Sequence, residues 1–300
     1  MITNKNFYSS YLEDYNAYRI LMYSSILKDI EKFENEFIPN VSGYKREDYK
    51  TVLITEIRQT YYHTIETLFE LIFALLPDSG NFYDNIIQYR LSNSNWRKNY
   101  NCIEKIAENI KELEFLDSKV KISQDTEVTK GHYLFYYGVN KENQKIEKGL
   151  IESIPHSLIH IKKGIQYLAK DFTQREEYNS YKHGLRLVPA LKNIYLFDKK
   201  TRTEVGKFDL SNSMTFMTID KKDESITYTT KNIDTWRDIE FSKFALYLIS
   251  NIINLRRASL KVGKEKFRIY TFPNDNFEKM DKGDTSFKQF SYQIKNNNAT

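Results

Sequence analysis

A mainly α fold is predicted for this chain: an antiparallel helical bundle with a small antiparallel β-meander inserted before the last long helix. Three observations predict it. Long stretches without proline or glycine carry apolar side chains at helical spacing. After Pro189 the pattern changes to short alternating segments rich in Tyr, Phe, Ile and Thr. The helical pattern then returns over TWRDIEFSKFALYLISNIINLRRASL, behind Asp234 as a cap.

Taken in order, about the first 35 residues, NFYSSYLEDYNAYRILMYSSILKDIEKFENEF, predict one helix that ends at PNVSGY. A second long helix is expected from about Lys45 to Leu76, stopped by PDSGN. Shorter helices follow near Phe82–Leu91 and Cys102–Leu116, then a loop with some helix near His132–Tyr137. A third long helix begins around Ile146. Pro155 inside it predicts a kink or a fresh start near Ser153, and Gly184 is a natural terminator just past His183.

The segments LKNIYLFD, EVGKFDLS, SMTFMTID and SITYTTKN predict three or four meander strands, and KFRIYTF is a further candidate. The expected division is therefore residues 1–187 as helical bundle, 188–232 as β insertion and 233–262 as a final helix packing on the bundle. Residues 263–300 form a polar C-terminal extension, expected to be partly flexible.

Composition narrows the function classes. Of 300 residues, 40% are hydrophobic and 28% charged, which fits a folded protein of the soluble type. Forty-five Lys and Arg against 40 Asp and Glu leave +5, a mild excess that permits RNA, DNA or phosphorylated ligands and disfavours basic partners. A single cysteine, Cys102, makes neither an internal disulfide nor a thiolate metal cage, and a reducing compartment is the simplest reading. MITNKNFYSSYLEDY has no basic and then apolar leader, and TLFELIFALLP is too short and carries Glu70. The expectation is a cytoplasmic protein with no membrane segment.

Two polar patches stand out on otherwise apolar helices. On the second helix, Gln59, His63, Glu66 and Glu70 fall within about 80° of one another at 100° per residue, either as an internal network or as the lining of a cleft. Arg58 lies about 140° from His63 by the same arithmetic. Near the end of the third helix, Arg175, Asn179, Lys182 and His183 share a face within about 100°. Two cations, an amide and an imidazole suit a phosphate. Lys-His-Gly is also how a helix ends, with cations at the negative end of its dipole.

His156 and His160 form an i, i+4 pair, but Ser157 stands where a zincin has glutamate. No glycine-rich phosphate loop, nucleophile elbow or clustered cysteine set occurs, and the expectation is no cofactor and no metal, against the alternative of a metal-dependent hydrolase using His63, Glu66, His156 and His160.

EIRQTYYHTIETLFELI together with YNSYKHG resembles the HEPN-type proteins, helical bundles of bacterial defence and toxin–antitoxin systems. Catalytic members are metal-independent endoribonucleases that carry an R-x4–6-H motif and dimerise. Arg58 to His63, RQTYYH, has that spacing, with polar Gln59 after the arginine. In YNSYKH, Tyr178 occupies the place where arginine is expected.

The resemblance implies a homodimer acting on RNA, or a nucleotide, with a partner protein of a defence system. It casts His63 as acid/base and Arg58 as electrostatic clamp, with His183 completing the catalytic set. Asn179, Lys182 and Arg175 would position the phosphate, and Glu66 would orient an imidazole. The alternative it leaves is a non-catalytic relative that binds RNA, a nucleotide or a protein.

Overall fold

A computed structural model describes residues 4–37, 43, 45–76, 87–123, 126–140, 147–182, 187–189, 193–209, 213–219, 226–264, 266–283 and 290–295. The chain is mainly helical, with small antiparallel sheets ahead of the last long helix, as the periodicities predict. It groups into two compact units that cut across the expected boundaries. The first comprises residues 1–17, 63–173 and 240–300, the second 18–62 and 174–239.

The helical N-terminal stretch is three helices rather than one: α1 (Asn4–Ser10), α2 (Tyr15–Lys28) and α3 (Ile30–Phe37). Acidic residues mark both breaks. Glu13 is drawn into a buried ion pair, and Asp29 Oδ1 accepts the Lys32 amide at 3.4 Å, in the manner of a cap for α3. Helix α4 (Arg46–Leu75) matches the expected second helix. The next helices are α5 (Ile87–Ser92) and α6 (Trp96–Glu108), then a 3-10 turn over Ile110–Asp117. Asn95 caps α6 and Asn109 caps the 3-10 turn through their side-chain oxygens.

Strands β1 (Lys119–Lys121) and β2 (Glu127–Thr129) form a short hairpin in a region expected to be loop; α7 (Lys130–Phe135) follows, capped by Thr129. Helix α8 (Lys148–Phe172) runs through Pro155 without the expected fresh start. Pro155 forfeits one intrahelical bond, a loss that an exposed face lets water make good. The break falls instead at Thr173–Gln174, before the separate helix α9 (Arg175–Lys182). Gly184 lies outside the described residues.

In the first unit, α8 packs on α6, and Gly164 lets the rings of Phe244 and Phe277 lie against its backbone. Helix α10 (Thr235–Ser259) supplies Phe244 and two buried arginines. Arg256 donates to the carbonyls of Tyr133 and Leu134. Arg257 binds Glu13 at 2.7 Å and the carbonyls of Tyr8 and Tyr11, so it ties down the N-terminal segment. In the C-terminal extension, β8 (Lys266–Thr271) pairs antiparallel with β9 (Phe290–Lys295), and α11 (Phe277–Asp281) lies between them in sequence.

In the second unit the meander is divided. Strand β6 (Ser213–Ile219) is central between β3 (Leu187–Pro189) and β7 (Ile226–Asn232), while β4 (Asn193–Phe197) and β5 (Glu204–Asp209) form a hairpin of their own. Ile54 of α4, Met214 of β6 and Ile233 form a small core, against which Leu27 of α2 packs. Burying these side chains stabilises the unit by roughly 1.5–3 kcal/mol each.

Candidate functional site

From Leu53 to Leu75 helix α4 is buried over most of its circumference. Ile57, Tyr61, Tyr62 and Ile65 are fully buried, and Arg58 stands among them with 6% of its surface exposed. A guanidinium there is tolerable only if its charge and donors are met. Its Nε donates to Glu177 Oε1 at 2.9 Å, and one terminal nitrogen donates to Asp238 Oδ1. The other donates to the Tyr62 hydroxyl at 3.3 Å. The cation also lies 5.0 Å from the Tyr62 ring centre, and that ring stacks on Tyr178 at 5.1 Å.

Each partner is placed by its own helix. Glu177 projects from α9, whose first turn follows Gln174; the Gln174 carbonyl accepts the Tyr178 amide. Asp238 sits in the first turn of α10, where the helix dipole favours an anion, behind the Asp234 cap that accepts the Arg237 amide at 2.9 Å. Lys231 of β7 donates to Glu177 Oε2 at 2.8 Å and also to the Gln174 side chain. Burial by itself would raise the Glu177 pKa. The Arg58 guanidinium, helped by Lys231, outweighs it and holds the carboxyl below its ordinary range.

The chemistry open to this centre is limited. Its charges are balanced within the protein, and a phosphate reaching Arg58 would have to displace two carboxylates from a dry site. The centre welds α4, α9 and the start of α10 together.

The other expected site residues are placed as follows. His63 and Glu66 are half-buried on the part of α4 that belongs to the first unit; Arg58 and Asn179, the latter half-buried on α9, belong to the second. Arg175 and Lys182 lie on α9, but their side chains fall outside the described residues. His183, expected to complete the catalytic set, falls outside them altogether. Tyr178, in the position where the motif has arginine, is a buried stacking residue.

Farther along the polar stripe, Glu70 accepts from Ser94 at 2.5 Å and from Asn99 at 3.0 Å. It lines a half-open cavity of about 580 Å³ with Arg90, Asn93, Lys98, Cys102 and Lys105. Arg90 there donates to the carbonyls of Ala74 and Leu76, satisfying the end of α4.

His156 and His160 meet each other, Nε2 to Nε2 at 3.1 Å. His160 Nδ1 is buried without a hydrogen-bond partner, so the consistent neutral tautomer has His160 Nε2–H donating to His156. Among the described residues no three His, Cys, Asp or Glu side chains gather where they would hold a metal ion. Nor is any helix there long and apolar enough to cross a membrane.

Glu177 and Asp238 were missed as site residues. Part of the signal was available in principle: a buried arginine needs a carboxylate, and Asp238 is an acid on a helix otherwise rich in apolar side chains, whereas α9 is polar along its length and gives Glu177 no such contrast.

No family model, curated protein or solved structure matches this chain.

Proposed function

We propose that this chain is a non-catalytic, HEPN-like helical protein that binds RNA. The observation that carries the reading is the saturation of Arg58 by Glu177, Asp238 and Tyr62. A ribonuclease of this type uses the 2′-OH as nucleophile, an imidazole to move protons and a guanidinium to stabilise charge growing on the phosphorane. Arg58 donates to protein carboxylates instead, and Tyr178 replaces the arginine of the later motif. Net charge of +5 permits RNA as the ligand, and the retained motif spacing supports it.

Homodimerisation and a partner protein in a bacterial defence or toxin-type system belong to the same proposal and rest on the resemblance alone, and a cytoplasmic location belongs to it on the composition, with its single cysteine. Incubating the purified protein with total RNA in EDTA, alongside a binding titration, tests it. Binding without cleavage is expected. Cleavage that disappears in His63→Ala would restore the endoribonuclease reading, with His63 as the acid/base.

A further inference from the structure

The β4–β5 hairpin is a two-stranded sheet that pairs with no other described strand. Such a ribbon is marginal in water unless something covers its apolar side chains. Here they are open. Tyr195 is 46% exposed, Leu196 45%, Phe197 60% and Val205 64%.

Strand alternation puts Tyr195 and Phe197 on one face, with ring centres 6.5 Å apart and planes 33° from parallel. Lys207, the cross-strand partner of Tyr195, holds its ammonium 5.5 Å from the Tyr195 ring centre. Val205 is the extra residue of a bulge, between the pairs Leu196–Gly206 and Phe197–Glu204.

The turn adds charge. Asp198 Oδ1 accepts the amides of Lys200 and Thr201 and the Thr201 hydroxyl, so this carboxylate is spent on holding the loop. Lys199, Lys200 and Arg202 are left exposed at the tip. Together with Lys207 they give the hairpin four cations, one beside the Tyr195 ring and three in the turn that follows Phe197, against Glu204 and, at the far end of β5, Asp209.

We propose that this hairpin is a contact for single-stranded RNA. Tyr195 and Phe197 stack on successive unpaired bases, and Lys199, Lys200, Arg202 and Lys207 meet the phosphates. A duplex hides its base faces in its own stack and offers these rings nothing. A protein partner fits less well: lysine is depleted in interface cores, and on a free strand edge it discourages pairing with another strand. The proposal rests on the reading that RNA is the ligand, and it names the surface involved.

The test is fluorescence anisotropy on the full chain, with labelled oligouridylate and a labelled self-complementary RNA duplex as probes. The variants are Tyr195→Ser/Phe197→Ser and Lys199→Gln/Lys200→Gln/Arg202→Gln, each checked for an unchanged melting midpoint because all five positions are exposed. The aromatic pair should weaken oligouridylate binding on the order of 10²-fold, about tenfold per ring. The basic triple should flatten the salt dependence, by a slope of about 1 for each phosphate that is no longer neutralised.

Wild-type binding that neither variant weakens overturns the hairpin assignment and leaves RNA binding standing. No binding of either probe overturns both. Equal affinity for the duplex, or a dimer that dissociates in the aromatic variant without any loss of RNA affinity, overturns it in favour of another occupant.

Discussion

Arg58 Nε donates to Glu177 Oε1 at 2.9 Å, in a contact where the two side chains keep only 7% and 2% of their surface. In such a place the attraction between opposite charges is strong, but so is the cost of having removed both from water. The pair is therefore costly to break and of modest net worth when whole. Arg58→Met should destabilise the protein by about 3–5 kcal/mol, because Glu177 and Asp238 both lose a buried partner that Lys231 and Arg237 replace only in part. Replacing all three with apolar residues of similar volume should recover most of that loss. Urea denaturation monitored by circular dichroism reads both. An Arg58→Met midpoint equal to wild type would remove the structural role given to this arginine.

Acid should act at the same centre and at its counterpart in the first unit. For Glu177 and for Glu13, burial pushes the carboxyl pKa up, and the neighbouring Arg58 and Arg257 outweigh it, leaving both below the ordinary value of 4.5. A folded-state pKa below the unfolded one means that the unfolded chain binds more protons in the interval between them. The stabilisation is thus fully present above about pH 5 and is lost as pH falls through the folded values, below about 4.5. Thermal midpoints should drop over that interval in wild type. Glu177→Gln and Glu13→Gln should each start lower at neutral pH and show a shallower drop. An acid profile that the two substitutions leave unchanged would count against these pairs as its source.

A third expectation concerns Gly164. A Cβ there would stand 2.3 Å from Phe244 Cζ and 2.7 Å from Phe277 Cζ, both on fully buried rings. Alanine gains about 1 kcal/mol of helix propensity over glycine. Overpacking costs about 1–3 kcal/mol, and two rings packed 5.0 Å apart have little room to retreat. The clash should win, and Gly164→Ala should lower the melting midpoint. A higher midpoint would mean that the rings repack freely.

These interactions show what sequence patterning reaches and where it stops. Periodicity located α4, α8 and α10 because each must bury an apolar face, and a wide apolar face leaves its spacing in the chain. It did not find the break at Thr173–Gln174, where no proline or glycine marks the end of α8. Nor did it separate β4–β5 from β3–β6–β7, since alternation identifies strands and not their partners. At the site, Arg58 was legible as a candidate and its role was not. Motif spacing identifies residue types, but whether a guanidinium faces a ligand or a carboxylate depends on Glu177 and Asp238, 119 and 180 residues away in sequence.

The same limit applies to Asn251, an amide midway along α10 with no exposed surface. Its Nδ2 donates to the Tyr270 carbonyl at 2.8 Å, and its Oδ1 accepts the Tyr270 amide at 2.9 Å. The side chain thereby serves β8 on the edge turned away from β9, as a neighbouring strand would. In Asn251→Ala the Tyr270 carbonyl keeps the Tyr136 hydroxyl at 3.1 Å, whereas the Tyr270 amide loses its acceptor. An unsatisfied buried donor costs about 1–3 kcal/mol. The substitution should lower stability in urea by that amount and speed hydrogen exchange at the Tyr270 amide more than at amides in the second unit. Asn251→Asp keeps the acceptor but adds a buried charge, so it should destabilise at neutral pH and recover part of the loss in mild acid. Unchanged exchange at Tyr270 in the alanine variant would show that water or another group supplies the missing acceptor.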